Sequence, residues 1–363
     1  MLAPTRIMAQ LILDCELMKH PFSGLYTYCL NLGEHLNTEL RAAGRDPLLM
    51  YLPPRRKLRL PAEPHHLPER RWHRLMQPFL RDCRVWHAPF QSGRLLPDKR
   101  RYPNLNVVLT VHDLNVLHEG KSPADQQRSL AHTQALIDQS DAIVCISAFT
   151  RSDVLTHCDT GSKPVQVIYN GAGAVAAPPA MPPAGAPPGP FVLGIGYLNR
   201  KKNFHVLLPL LADNPDLSLV LVGRPDDPDY VAQLRGTAQA LGVSDRLHLP
   251  GPVSEADKSW YLHHCQALLH PSLAEGFGLP VVEAMQLGKP VFLSRHTALP
   301  EIGGRAAAYF ADEEPDTVQA VFRQARPDFQ AADQVAARRA QAARFTWAVS
   351  ARQYLAVYDS LLG

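Results

Sequence analysis

The sequence predicts an α/β protein of two doubly wound domains, and three observations carry that expectation. Short apolar runs of strand length alternate with helical patterns in both halves, as parallel sheets covered on both faces require. Residues 172–190, almost wholly Ala, Pro and Gly, separate the halves and cannot bury a core. The chain's 363 residues also exceed a usual single domain.

In the first half, residues 7–13 read as a strand and 19–25 as a loop containing Ser23-Gly24. A helix follows in which Tyr26, Leu30, Leu36 and Leu40 recur near a 3.6 period. Residues 48–52 are the second strand. Residues 53–84 are rich in Pro, Arg and His and poorly periodic, an insertion expected to pack loosely or meet a partner. Val85-Trp86-His87 is a strand end, and the buried run 107–111 stops at His112-Asp113. Ligands of parallel α/β sheets sit beyond the carboxyl ends of strands, which makes this pair a site candidate. The local alternative is a turn in which Asp113 bonds backbone. A helix over 124–139 and a strand over 142–146 come next. Ser147 is then an N-cap for a helix to His157, and strand 165–169 is closed by the Asn170-Gly171 turn.

The second half restarts with a strand at 191–196. Arg200, Lys201 and Lys202 then place three cations at a strand-to-helix junction, where a helix N-terminus already attracts anions. Strands are expected at 217–222, 246–249, 267–269 and 291–293, with helices at 230–241, 254–265 and 280–287. The end of the chain, 332–362, reads as helix with a break near 345–347. The densest stretch is 269–292. There Gly276 and Gly278 let backbone approach a ligand, Pro280 opens a helix, and Gly288 with Pro290 stops it. Glu275 lies in the loop and Glu283 in the helix. A carboxylate beside a helix N-terminus can accept from two vicinal hydroxyls, as a ribose presents them. Single loop glutamates are usually just solvated. The spacing of eight, the Gly-Phe-Gly and the Pro-Val-Val together favour a site.

Composition narrows the classes. The net charge of +3 conceals a basic segment, 55–101, with 13 Lys/Arg against four acids and with Trp72, Phe79 and Trp86 interleaved. It is expected to contact an anionic acceptor or an anionic membrane; the alternative is a solvated arginine-rich face. The six cysteines are scattered without a C-x-x-C pair, which favours reduced thiols. No run reaches transmembrane length and residues 7–13 are too short for a signal core, so a cytoplasmic setting is expected. A G-x-S-x-G elbow, a Walker loop and zinc-type spacing are missing.

These motifs resemble a known family. Glu275-Gly-Phe-Gly-Leu-Pro-x-x-Glu283-Ala is similar to the E-x7-E signature of family 4 retaining glycosyltransferases with the GT-B fold. Ser23-Gly24-Leu25, Thr110-Val-His112-Asp113-Leu114, Ile146-Ser147-x-x-Thr150, Ile168-Tyr-Asn170-Gly171, Lys201-Lys202-Asn203 and Leu299-Pro300-Glu301 follow the family order. The resemblance implies two Rossmann-like domains with an interdomain cleft. Residues 1–171 would bind acceptor, 172–190 link, 191–345 bind donor, and 346–363 cross back as a helix. It implies transfer of a hexose, mannose favoured, from a GDP- or UDP-linked donor to a saccharide or lipid-linked acceptor of a bacterial surface polysaccharide. No metal, no further cofactor and no nucleic acid are expected.

By the same resemblance His112, Glu275 and Lys202 are catalytic. Glu283, Arg200, Lys201, Gly24, Gly276, Phe277, Gly278 and Leu279 hold the donor, with Glu283 on the ribose and Lys202 on the diphosphate. The chain departs from the pattern at Tyr197, where an arginine is usual, and at Tyr26, where a second glycine is usual. A sugar-nucleotide epimerase, a sugar phosphorylase and a non-catalytic nucleotide-sugar-binding module stay open as alternatives on this fold.

Overall fold

The computed structural model describes residues 10–19, 24–53, 66–74, 77–91, 96–312 and 314–363. The chain divides into two units, one of Met1–Leu117, Lys121–Gly171 and Thr346–Gly363, the other of His118–Gly120 and Ala172–Phe345.

The first unit contains β1 (Leu11–Asp14), α1 (Gly24–Ala42), β2 (Leu49–Leu52), β3 (His66–Pro68), β4 (Val85–Ala88), β5 (Asn106–Val111), α2 (Pro123–Asp138), β6 (Ala142–Cys145), α3 (Ala148–His157) and β7 (Val165–Val167). Its sheet runs β3-β2-β1-β4-β5-β6-β7, parallel throughout. Such strands are covered on both faces and so read as continuous apolar runs. Val107, Val108, Leu109 and Val111 are accordingly fully buried. Helix α1 turns Tyr28, Leu32, Leu36 and Leu40 inward at intervals of four, while Tyr26 and Leu30 sit at the rim of that core. Ser147 caps α3 as expected, its hydroxyl accepting from the Thr150 N–H at 3.1 Å.

Two expectations for the basic segment need correction. The described residues between 66 and 84 are not loosely packed. His66–Pro68 adds an edge strand to β2, and Leu80 and Cys83 are buried. Three residues ending in proline give no period to read, and proline is tolerated at a sheet edge. Nor do the three aromatics share a surface. Trp86 is wholly buried in β4, Phe79 stacks on Tyr51 at 5.6 Å, and only Trp72 is exposed. Residues 54–65, 75–76 and 92–95 of this region, like Ser23 and the start of the first predicted strand, lie outside the described residues.

The second unit contains β8 (Phe191–Ile195), α4 (Pro209–Asp213), β9 (Ser218–Val222), α5 (Pro228–Ala240), β10 (Leu247–Gly251), α6 (Glu255–His264), β11 (Ala267–His270), α7 (Leu279–Gln286), β12 (Val291–Leu293), α8 (Leu299–Gly303), β13 (Ala308–Tyr309), α9 (Pro315–Ala325) and α10 (Ala332–Ala342). The sheet order is β10-β9-β8-β11-β12-β13, again parallel. The chain leaves β8 toward β9 and returns to β8's other side as β11, so the topology switches between β8 and β11. β13 and α9 were not expected. A two-residue strand carries no pattern, and α9 buries only Val318 and Phe322.

The last helix, α11 (Trp347–Leu362), belongs to the first unit and packs on α1. Its docking face carries a buried polar network. Tyr354 Oη lies 2.6 Å from Tyr28 Oη and 3.0 Å from Thr110 Oγ1; His87 joins Thr110 at 2.8 Å and Tyr358 Oη at 2.7 Å. Among the described residues no helix is long and apolar enough to cross a membrane.

Candidate active site

In an open parallel sheet the crevice for a ligand opens at the carboxyl ends of the strands flanking the topological switch. In the second unit that means the segments after β8 and β11. The turn after β8, Arg200–Lys202, is 3-10, so its three cations point apart. Arg200 is two-thirds exposed and reaches Gln233 at 3.0 Å and Asp227 at 3.8 Å. Lys201 pairs with Glu119 at 2.9 Å. Only Lys202 turns to the loop after β11, where its ammonium meets Glu275 Oε1. Gly196 makes room for it, since a Cβ there would stand 2.8 Å from Lys202 Cε.

Glu275 has a second partner that sequence reading missed. His270, the last residue of β11 and 1% exposed, approaches the same Oε1 through Nε2 at 2.8 Å. A carboxylate only accepts, so the proton is on Nε2. Nδ1 then has no hydrogen-bond partner among the described residues. Burial alone would raise the Glu275 carboxyl. Lys202's charge and then His270 overcome it and hold the group well below the usual carboxylate range. The Glu275 N–H donates to Thr297 Oγ1 at 2.8 Å. Thr297 stands at φ 50°, a left-handed conformation unusual for a β-branched residue.

Gly276, Phe277 and Gly278 are buried, and the Phe277 ring packs edge-on against Phe345 at 5.5 Å. The phenyl ring is thus taken up by Phe345, and backbone is what the loop can offer to a ligand. Gly278 N-caps α7 at φ 98°, which favours glycine, and no side chain caps that end among the described residues. Leu279 is the first helical residue and Pro280 the second, so Glu283 falls fifth, one residue further in than a helix opening at Pro280 would place it. Its Oε1 accepts from Lys258 of α6 at 2.9 Å, and Lys258 also holds Glu255. Burial pushes Glu283 up despite the pull of Lys258. Lys258, like His270, was not singled out in the sequence. A lysine on a polar helix face gives no signal until α6 and α7 are placed side by side. Tyr197, standing where an arginine was expected, is exposed, with the Arg224 guanidinium 4.7 Å over its ring.

His112 is in the first unit, after β5, and is 7% exposed. Its Nε2–H donates to Pro89 O at 2.8 Å, which leaves Nδ1 as an acceptor. The ring meets Tyr28 edge-on at 4.7 Å and Phe90 at 5.2 Å. Burial lowers its pKa to about 4, although the bond to Pro89 acts the other way, so the ring is neutral at physiological pH. Asp113 Oδ1 accepts from the Asn115 N–H at 3.1 Å, a local turn. Gly24 opens α1, and a Cβ there would meet no described atom within 4 Å.

Two family models match in chain order. Glycosyltransferase Family 4 covers residues 23–172, and Glycosyl transferases group 1 covers 184–324. Among curated relatives, the chain is 26% identical over 242 residues to the serotype-specific mannosyltransferase WbdA of Escherichia coli. That match covers 63% of this chain and 30% of WbdA, so the chain spans under a third of that relative's length. It is 25% identical over 298 residues to a D-inositol 3-phosphate glycosyltransferase of Jonesia denitrificans, covering 74% of this chain and 69% of the other. Among solved structures, HepE of Anabaena in complex with UDP and glucose superposes with a TM-score of 0.70. The identity is 18%, over 97% of this chain and 99% of that one.

Proposed function

The chain belongs to the family 4 glycosyltransferases of the GT-B fold, and on that premise we propose that it transfers a hexose, mannose favoured, from a GDP- or UDP-linked donor with retention of configuration. The observation that carries this reading is the Lys202–Glu275 contact across the β8/β11 switch. A cation and a carboxylate meet there, beside a helix N-terminus with no side-chain cap among the described residues.

The difficult step is departure of a nucleoside diphosphate from the anomeric carbon. As that C–O bond breaks, negative charge grows on the diphosphate and positive charge on the sugar. Lys202 and the N-terminal N–H groups of α7 face the first. Preorganised groups of this kind contribute roughly 3 kcal/mol each to lowering a barrier. Glu275 accepts from a donor-sugar hydroxyl and Glu283 from the ribose. The acceptor hydroxyl forms the new C–O bond on the face the diphosphate leaves, and its proton passes to a diphosphate oxygen. No protein nucleophile is required.

The first unit takes the acceptor, a saccharide or a lipid-linked saccharide, with neutral His112 accepting a sugar hydroxyl through Nδ1. Support for a nucleotide-sugar donor comes from HepE, which was solved in complex with UDP and glucose, and support for mannose from WbdA, a mannosyltransferase. The test is a panel of GDP- and UDP-linked hexoses. One of them is expected to raise the melting temperature by mass action and to release nucleoside diphosphate. Lys202→Met and Glu283→Ala are expected to abolish both effects. Turnover left intact in both variants would overturn the assignment.

A further inference from the structure

Glu275 is held more firmly than a solvated loop glutamate needs to be. Lys202 and His270 both reach Oε1, so Oε2 takes neither contact. Thr297 holds the backbone of the same residue from a left-handed conformation. Strain of that kind persists where surrounding contacts over-determine it, and it concentrates at functional sites. His270 also leaves Nδ1 buried and without a partner among the described residues, a cost an apolar side chain at the end of β11 would avoid.

We propose that His270 is a positioning residue that keeps Glu275, whose backbone Thr297 holds, oriented and ionised once Lys202 turns to the donor diphosphate, so that Oε2 accepts a donor-sugar hydroxyl. The inference rests on the donor reading above. In the structure Lys202 is engaged by Glu275, and one ammonium cannot neutralise both that carboxylate and a diphosphate in full. When the ammonium moves, Glu275 loses its countercharge and gains negative neighbours. Among the described residues the charged and titratable groups facing it are Lys202 from the turn after β8 and His270 from β11; Thr297, after β12, is uncharged. His270 Nε2–H is then the side-chain donor that stays.

His270→Leu removes the donor while filling the space, and His270→Gln restores an N–H. The titration of the Glu275 side-chain carboxyl, read by carbon-13 NMR on the full chain with and without GDP or UDP, reports on the bond directly. Its midpoint is expected to rise by about one pH unit or more in the leucine variant and to return in the glutamine variant. With the sugar donor, kcat is expected to fall roughly ten- to a hundredfold, the scale of one lost hydrogen bond to a charged group. The Kd for GDP or UDP alone should stay within about threefold of wild type, a scale well under one such bond. An unmoved titration and unmoved kcat in a folded leucine variant would overturn the proposal. Loss of nucleoside diphosphate binding would overturn it too, by showing that His270 acts through the fold. Should that variant fail to fold, Thr297→Gly suits φ 50°, removes the hydroxyl and is expected to shift the same midpoint. Wild type that turns over no nucleotide sugar would sink the transferase reading, while the titration would still judge His270.

Discussion

Tyr354 offers a sharp test of how α11 is fixed to its unit. Its hydroxyl sits between Tyr28 Oη and Thr110 Oγ1, and all three groups are buried. Tyr354→Phe removes one oxygen and takes from the buried Tyr28 hydroxyl its bond to Tyr354, leaving it under-satisfied beside Thr110. A net hydrogen bond contributes about 1 kcal/mol, and a buried hydroxyl left unsatisfied costs about 1–3. The single change should therefore cost about 2 kcal/mol. That corresponds to a fall of roughly 4–8 °C in the melting of a unit this size. Tyr28→Phe alone should cost less, about 1 kcal/mol, because Tyr354 keeps Thr110. Adding Tyr28→Phe to Tyr354→Phe should recover part of the loss, since it deletes the under-satisfied hydroxyl. The assay is urea unfolding of the four proteins as a double-mutant cycle. Additive costs, or a Tyr354→Phe cost inside about 0.5 kcal/mol, the scale of an ordinary surface change, would refute the reasoning.

Gly171→Ala should unfold the end of the first unit, because its Cβ would stand 2.2 Å from the Trp347 backbone nitrogen; proteolysis at α11 would report it. His87 and His112 are held down to about 3 and about 4 by burial, against an ordinary 6.5. The unfolded chain thus binds more protons between those values, so stability is full above pH 7 and lost as pH falls from 6.5. The slope approaches about 1.4 kcal/mol per pH unit for each histidine, and denaturant midpoints between about pH 7 and 4.5 would show it. Lys258→Met should push Glu283 further up by removing its charge partner. Nucleotide affinity is then expected to fall as pH drops through the weakly acidic range, where wild type still binds, as titration calorimetry would measure.

The strands were legible because parallel sheets buried on both faces demand continuous apolar runs, and the sequence supplies them at β5, β6, β9 and β11. Caps were legible where one hydroxyl settles the matter, as at Ser147. The E-x7-E spacing also marked the loop in which Lys202 and His270 meet Glu275. What could not be read were contacts between residues distant in sequence. Arg200, Lys201 and Lys202 look equivalent in a row, yet a 3-10 turn sends only Lys202 to Glu275 and leaves Lys201 to Glu119. The edge strand His66–Pro68 carries no period and exists because β2 has a free edge. His270 was one more apolar-strand residue until Glu275 was placed 2.8 Å from its ring. The sequence by itself determined the layers and the stretch that carries the candidate site, because burial and backbone conformation are local, periodic demands. Which cation meets which carboxylate was decided only by tertiary structure, because that pairing depends on where the β8 and β11 loops meet.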